Sequence, residues 1–133
     1  MHSTGSDGQL KPEEVVKEAI AKGLHYICFT DHFYRPSELN KCWDTSRFHS
    51  QDYVAEIRRL QKAYADKIDI SFGAEFDWLP NHVDWIKNEV KKQKYDYVMG
   101  SVHFIFKGKK DSHFLFSRGE VLKCESFFPL KIK

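Results

Sequence analysis

Three times along this chain an apolar run breaks off beside a residue able to bind a metal or move a proton. "HYICFT" (25–30) runs straight into Asp31 and His32. "IDISFGAE" (68–75) ends on Glu75, and "YDYVMGSVHF" (95–104) closes on Ser101 and His103. Between these runs lie stretches with helical periodicity. Strand, helix, strand, helix, strand is the pattern of parallel α/β architecture. In that arrangement the carboxyl ends of all strands open on one side, so residues that follow different strands meet at a common mouth.

The helices are legible from their ends and stripes. Pro12 suits the first helical position, and Glu13 and Glu14 occupy the first turn, where the helix dipole favours negative charge. Val15, Val16, Ala19 and Ile20 form one apolar stripe, and Gly23 ends the helix. A second helix is predicted over 52–66, with Val54, Ile57, Leu60 and Tyr64 on one side. Asn81 is expected to cap a third helix that reaches Lys94 through Val83, Ile86 and Val90. Residues 33–49 lack a period and read as a loop over one face. Beyond Lys107 the alternation stops, leaving room for one more short strand or helix.

The opening "MHSTGSDG" has neither an apolar face nor a helical period, and it places His2 five residues before Asp7 in a small polar turn. It reads as the trailing edge of a metal-binding loop. Together with His32, Glu75 and His103, these residues make a mixed nitrogen and oxygen donor set suited to zinc, manganese or iron. Each member taken singly has a plain alternative. A histidine at a strand end is often just satisfied or solvated, Glu75 could cap a helix or pair with a lysine, and Asp7 beside Gly8 is a ready turn residue. Their shared topological place is what argues for a site.

Composition narrows the function. The 133 residues suffice for one domain with a modest core, and 41% hydrophobic and 15% aromatic content favour a folded globule. A net charge of +2 gives no general attraction to nucleic acid or to an anionic membrane, and Lys107–Lys110 reads as a solvated loop. No run approaches the roughly 20 apolar residues that cross a bilayer. The N-terminus lacks the layout of a secretion signal. Three cysteines at scattered spacings, Cys28, Cys42 and Cys124, point to a reducing cytoplasm rather than to a disulfide framework or a cysteine zinc site.

"HSTGSDG", "FTDH", "GAEFDW" and "GSVHF", in this order, resemble the PHP (polymerase and histidinol phosphatase) metallophosphoesterases. "ICFTDHF" and "VMGSVHFI" look most like the histidinol-phosphatase branch. The resemblance implies a distorted (β/α)7 TIM-like barrel, present here in part, with two or three divalent metals at the carboxyl ends of its strands. By motif it implies His2, Asp7, His32, Glu75 and His103 as metal ligands. It places Asp31 beside a ligand as a catalytic group that orients its neighbour or transfers a proton. Arg35 or Lys41, in the loop over the mouth, could touch a phosphate, although each reads first as a solvated base.

The same resemblance sets further expectations. Residues 1–106 match the N-terminal half of such a domain, with its first strand and the first His of the His-x-His motif upstream of Met1. Residues 107–133 form a tail of unclear pattern. A full barrel needs ~200 residues or more. The implied activity is hydrolysis of L-histidinol phosphate to L-histidinol and phosphate in histidine biosynthesis, weak in a chain that lacks the late ligands. Two alternatives stand beside it. One is PHP chemistry on another small phosphate ester or on DNA ends, which the weak basic character disfavours. The other is a non-catalytic remnant that holds metal weakly and self-associates through open half-barrel edges.

Overall fold

The computed structural model describes residues 1–37, 44–106, 112–117 and 120–125, with side chains described through His103 except that of Pro80. Lys41 and the Lys107–Lys110 segment lie outside the described residues. Three parallel strands form the first sheet: β1 (Tyr26–Phe29), β2 (Asp69–Asp77) and β3 (Tyr97–Ser101), in the order β1-β2-β3. α1 (Pro12–Ala21) precedes β1, α2 (Gln51–Ala63) lies between β1 and β2, and α3 (Val83–Lys92) lies between β2 and β3. The chain is thus α/β with parallel strands. Beyond it, β4 (Phe104–Phe106), β5 (Ser112–Ser117) and β6 (Glu120–Glu125) form a separate antiparallel sheet. The tail therefore holds a two-stranded hairpin where one short element was expected.

The helix ends follow local chemistry. Pro12 opens α1, and the Glu14 carboxylate accepts the Lys11 N–H at 2.8 Å, which satisfies an otherwise orphaned donor. Gly23 takes φ +73° just beyond the helix, a conformation that glycine adopts without steric cost. Ser50 caps α2 by accepting the Tyr53 N–H at 3.2 Å. Asn81 does not cap α3. Pro80–His82 form a 3-10 turn first, and the α-helix starts only at Val83. The fixed φ of proline favours that tight entry.

β2 is the central strand, and its alternation organises everything else. Phe72, Ala74 and Phe76 point into the core, which leaves Glu75 and Asp77 on the opposite face. Phe72 packs with Val15, Val16, Ala19, Ile27, Phe29, Ile57 and Leu60 from α1, β1 and α2. Ala74 and Phe76 pack with Phe33, Trp85, Ile86 and Val90, which docks α3. At roughly 1.5–3 kcal/mol for each fully buried large side chain, these contacts fix the register of β2. Gly73 permits the close pairing: a Cβ there would lie 2.6 Å from the Tyr97 carbonyl oxygen and 3.0 Å from that of Phe29.

Two strand ends differ from the sequence expectation. β2 runs two residues beyond Glu75, because Phe76 and Asp77 continue to pair with Gly100 and Ser101 of β3. β3 stops at Ser101, so His103 follows the strand rather than belonging to it. β3 is also unusual for a parallel strand in leaving Tyr97, Val98 and Met99 exposed on successive positions, hence on both faces. Among the described residues, no helix is long and apolar enough to cross a membrane.

Candidate metal centre

The first loop is built to hold His2 and Asp7 against the sheet. The Thr30 N–H donates to the Met1 carbonyl at 2.9 Å, so residue 1 lies alongside the end of β1. The loop closes on itself through Gly8 N–H to the Ser3 carbonyl at 2.8 Å and Ser6 N–H to the same oxygen at 3.1 Å. Gly8 is required by this closure, since a Cβ there would stand 2.6 Å from the His2 carbonyl carbon and oxygen.

Asp31 ties this loop down. It is fully buried, and its two carboxylate oxygens accept four bonds. One oxygen takes the Ser3 N–H at 2.7 Å and the Ser6 hydroxyl at 2.6 Å, the other the Ser3 hydroxyl at 2.9 Å and the Tyr53 hydroxyl at 2.6 Å. Every lone pair of the carboxylate is occupied. The next residue, His32, points the opposite way, as neighbours in extended chain do. It is held by a parallel bridge to Glu75, with the Phe33 N–H on the Glu75 carbonyl at 2.8 Å and the Glu75 N–H on the Asp31 carbonyl at 3.0 Å.

The five side chains proposed as ligands from sequence come together around Glu75. One Glu75 oxygen lies 2.9 Å from His2 Nε2, and the other lies 3.4 Å from His32 Nδ1 and 3.5 Å from His103 Nε2. Asp7 closes the group at 2.8 Å from His2 Nδ1 and 3.7 Å from His32 Nε2. The ring centroids of His32 lie 4.4 Å from His2 and 4.9 Å from His103.

These spacings fit a divalent ion. Ligand bonds of about 2.0–2.2 Å in a tetrahedral site put donor atoms roughly 3.3–3.6 Å apart, and the contacts of Glu75 with His32 and His103 fall in that range. Donor atoms of His2, His32 and Glu75 all lie within 4.8 Å of one another. Imidazole nitrogen with carboxylate oxygen is a donor mixture for zinc and its first-row neighbours.

Electrostatics agree with that reading. Burial pushes the Glu75 carboxyl up, but the His2 hydrogen bond, the charge of His32 and the Ser101 hydroxyl outweigh it and hold the group at about 2. Glu75 is therefore an anion despite being 8% exposed. The hydrogen bond to Glu75 raises His2 above an ordinary imidazole, while burial lowers His32. His103 is raised by its hydrogen bond to Asp77.

Several residues of the site went unrecognised in the sequence. Asp77 contacts His103 Nδ1 and Arg35 Nε, and the strand period that exposes Glu75 to the centre could have found it. Arg35 itself is only 3% exposed, so the expectation of a solvated base is wrong: its partner Asp77 draws it inward. Ser3, Ser6 and Tyr53 carry no local signal of their bonds to Asp31. Neither does His49, which is buried behind the site with Nε2 2.9 Å from the Asp31 carbonyl oxygen and a backbone φ of +52°.

A family model for the PHP domain matches residues 1–126. The chain belongs to the PHP domain family. This PHP domain is 32% identical over 104 residues to a protein described as a probable histidinol-phosphatase of Deinococcus radiodurans, covering 78% of this chain and 38% of that one. It is 36% identical over 105 residues to a probable histidinol-phosphatase of Schizosaccharomyces pombe, covering 73% and 34%. Among solved structures it resembles histidinol phosphate phosphatase from Lactococcus lactis, determined with zinc, L-histidinol and phosphate, at a TM-score of 0.68 and 37% identity. That match covers 79% of this chain and 39% of the other. The PHP domain thus spans a little over a third of the length of the relatives it matches.

Proposed function

We propose that these residues form part of the metal centre of a phosphomonoesterase of the histidinol-phosphatase type, on a distorted TIM-like barrel. Its substrate would be L-histidinol phosphate, with L-histidinol and phosphate as products, in a cytoplasmic setting consistent with the scattered cysteines. The observation that carries this reading is the contact of one carboxylate, Glu75, with three imidazoles from three separate chain segments. The zinc, L-histidinol and phosphate bound by the Lactococcus lactis protein support the same choice of metal and substrate class.

His2, His32, Glu75 and His103 would hold the ion, with Asp7 beside His2 and His32. Zinc is the first candidate, and manganese and iron suit the same donors. When bound, the ion supplies Lewis-acid charge toward phosphate oxygens and acidifies water. The chain's own residues do the rest. Glu75 lies against one nitrogen of each of the three rings and so holds them around a common point. Asp31 acts through position: with all four lone pairs occupied, it anchors the loop of His2 and Asp7 rather than moving a proton. Arg35 is engaged with Asp77 and serves the support of the site ahead of any contact with phosphate.

The test has two arms. Zinc titration of the chain should show binding that is lost on replacing His32 with alanine. Phosphate release should then be compared for L-histidinol phosphate, other monoesters and labelled DNA. Zinc affinity unchanged by the His32 substitution would overturn the metal centre, and release from other esters in preference to L-histidinol phosphate would overturn the substrate.

A further inference from the structure

The geometry points to Asp77 as a positioning residue that fixes the ring of His103, with Arg35 holding Asp77 in turn. The inference rests on His103 being a metal ligand, as proposed above. Strand alternation puts Asp77 on the same face of β2 as Glu75, and its register partner is Ser101, two residues before His103. Asp77 is 7% exposed, and its two oxygens are divided between two donors. One faces Arg35 Nε and the other faces His103 Nδ1. The Ser101 hydroxyl stands 3.2 Å from the same Nδ1 and 3.5 Å from the Asp77 oxygen, completing the bracket. Arg35 is held from behind as well, with its backbone N–H on Thr45 Oγ1 at 2.8 Å.

The consequence concerns the other ring nitrogen. With Nδ1 committed to Asp77, His103 presents Nε2 to the centre, 3.5 Å from Glu75. A carboxylate on Nδ1 fixes both the tautomer and the orientation of a ligating imidazole, and it raises the basicity of the ligand. Asp77 must be a carboxylate for this purpose, because both of its oxygens have to accept. An asparagine there would turn its NH2 either toward the Arg35 donor or toward His103 Nδ1. The second choice moves the ring proton to Nε2 and blocks the ligand. The plain alternative is that Asp77 and Arg35 merely clip residues 33–37 to β2. That clip would matter equally whether or not His103 is present.

The experiment is a double-mutant cycle read by zinc affinity, measured by competition with a chromogenic chelator on the parent chain, Asp77→Asn, His103→Ala and the double variant. Asp77→Asn should weaken zinc by ~10–100-fold, as loss of such a partner does elsewhere, and should add nothing once His103 is alanine. An equal penalty in both backgrounds would reduce Asp77 to a structural clip and overturn the proposal. So would an unchanged Asp77→Asn beside a weakened His103→Ala. An unchanged His103→Ala would instead remove the ligand reading itself, and the proposal with it. If the variants fail to fold, nitrogen-15 spectra of the zinc-loaded parent decide: the His103 proton should reside on Nδ1, and a proton on Nε2 overturns the assignment.

Discussion

Asp31 offers the sharpest test of how the site is held. Replacing it with asparagine keeps its size and burial but turns one oxygen into an NH2 group. Whichever oxygen is lost, two donors that had an acceptor now face a donor: the Ser3 amide and Ser6 hydroxyl, or the hydroxyls of Ser3 and Tyr53. Bonds to charged groups net roughly 1.5–3 kcal/mol each, and the desolvation cost of the original buried charge offsets part of that. The expected loss is about 3–5 kcal/mol, large against a total of roughly 5–15 kcal/mol. Tyr53→Phe removes one donor and leaves the same oxygen bonded to Ser3, for about 1.5–2 kcal/mol. Urea unfolding in chelator reads both. With a slope of roughly 1–3 kcal/mol per molar, Tyr53→Phe should move the midpoint by about 1 M and Asp31→Asn by about twice that. If only the first loop unlatches, hydrogen exchange at the Ser3 and Gly8 amides should quicken instead. Both variants within about 0.5 kcal/mol of the parent, with unaltered exchange at those amides, would refute the anchoring role.

Burial holds His49 down at about 4, whereas the unfolded chain takes up that proton near 6.5. Its contribution to stability is therefore present above pH 6.5 and is lost as pH falls toward 4, by about 3 kcal/mol. His49→Asn, which tolerates the same positive φ, should flatten the stability profile between those values, and an unchanged slope would count against it. Gly8→Ala drives a Cβ into the His2 backbone and should cost about 1–3 kcal/mol together with zinc affinity, both read in one titrated melt. His32→Ala and His103→Ala should each lower bound metal, measured by elemental analysis, while circular dichroism stays near that of the parent.

The parallel α/β plan was readable because β1 is a continuous apolar run, β2 places apolar residues at alternate positions, and α1 and α2 carry stripes and end signals of their own. The residues proposed as metal donors could be picked out because each follows such a run or lies in the short polar loop that opens the chain. What escaped depends on contacts between distant segments. Tyr53 lies outside the predicted stripe of α2, and nothing local marks it until its hydroxyl meets Asp31, 22 residues back. Arg35 sits in a stretch without period, so nothing local announces that Asp77, 42 residues on, will bury it. Asp77 was hidden by placing the end of β2 at Glu75, although counting two further along the strand reaches it. The capping of α3 failed for a local reason, the stiff φ of Pro80 overriding the side-chain preference of Asn81.

Asp31 and His32 are neighbours whose side chains serve opposite faces, one as anchor and one at the centre. Their chemistry makes the pair a check on alignment. Slide the segment one way and the His32 imidazole stands among the hydroxyls of Ser3, Ser6 and Tyr53, which lose their carboxylate acceptor; slide it the other way and the Asp31 carboxylate replaces a ring beside Glu75. A slip in either direction takes the carboxylate away from four donors, and a slip that carries Asp31 into the His32 place also brings two like charges together. An ion that binds only the aligned form would widen that gap further by mass action. Zinc present during refolding should thus act as a template that sorts aligned chains from slipped ones, raising the yield of native protein as well as its melting temperature.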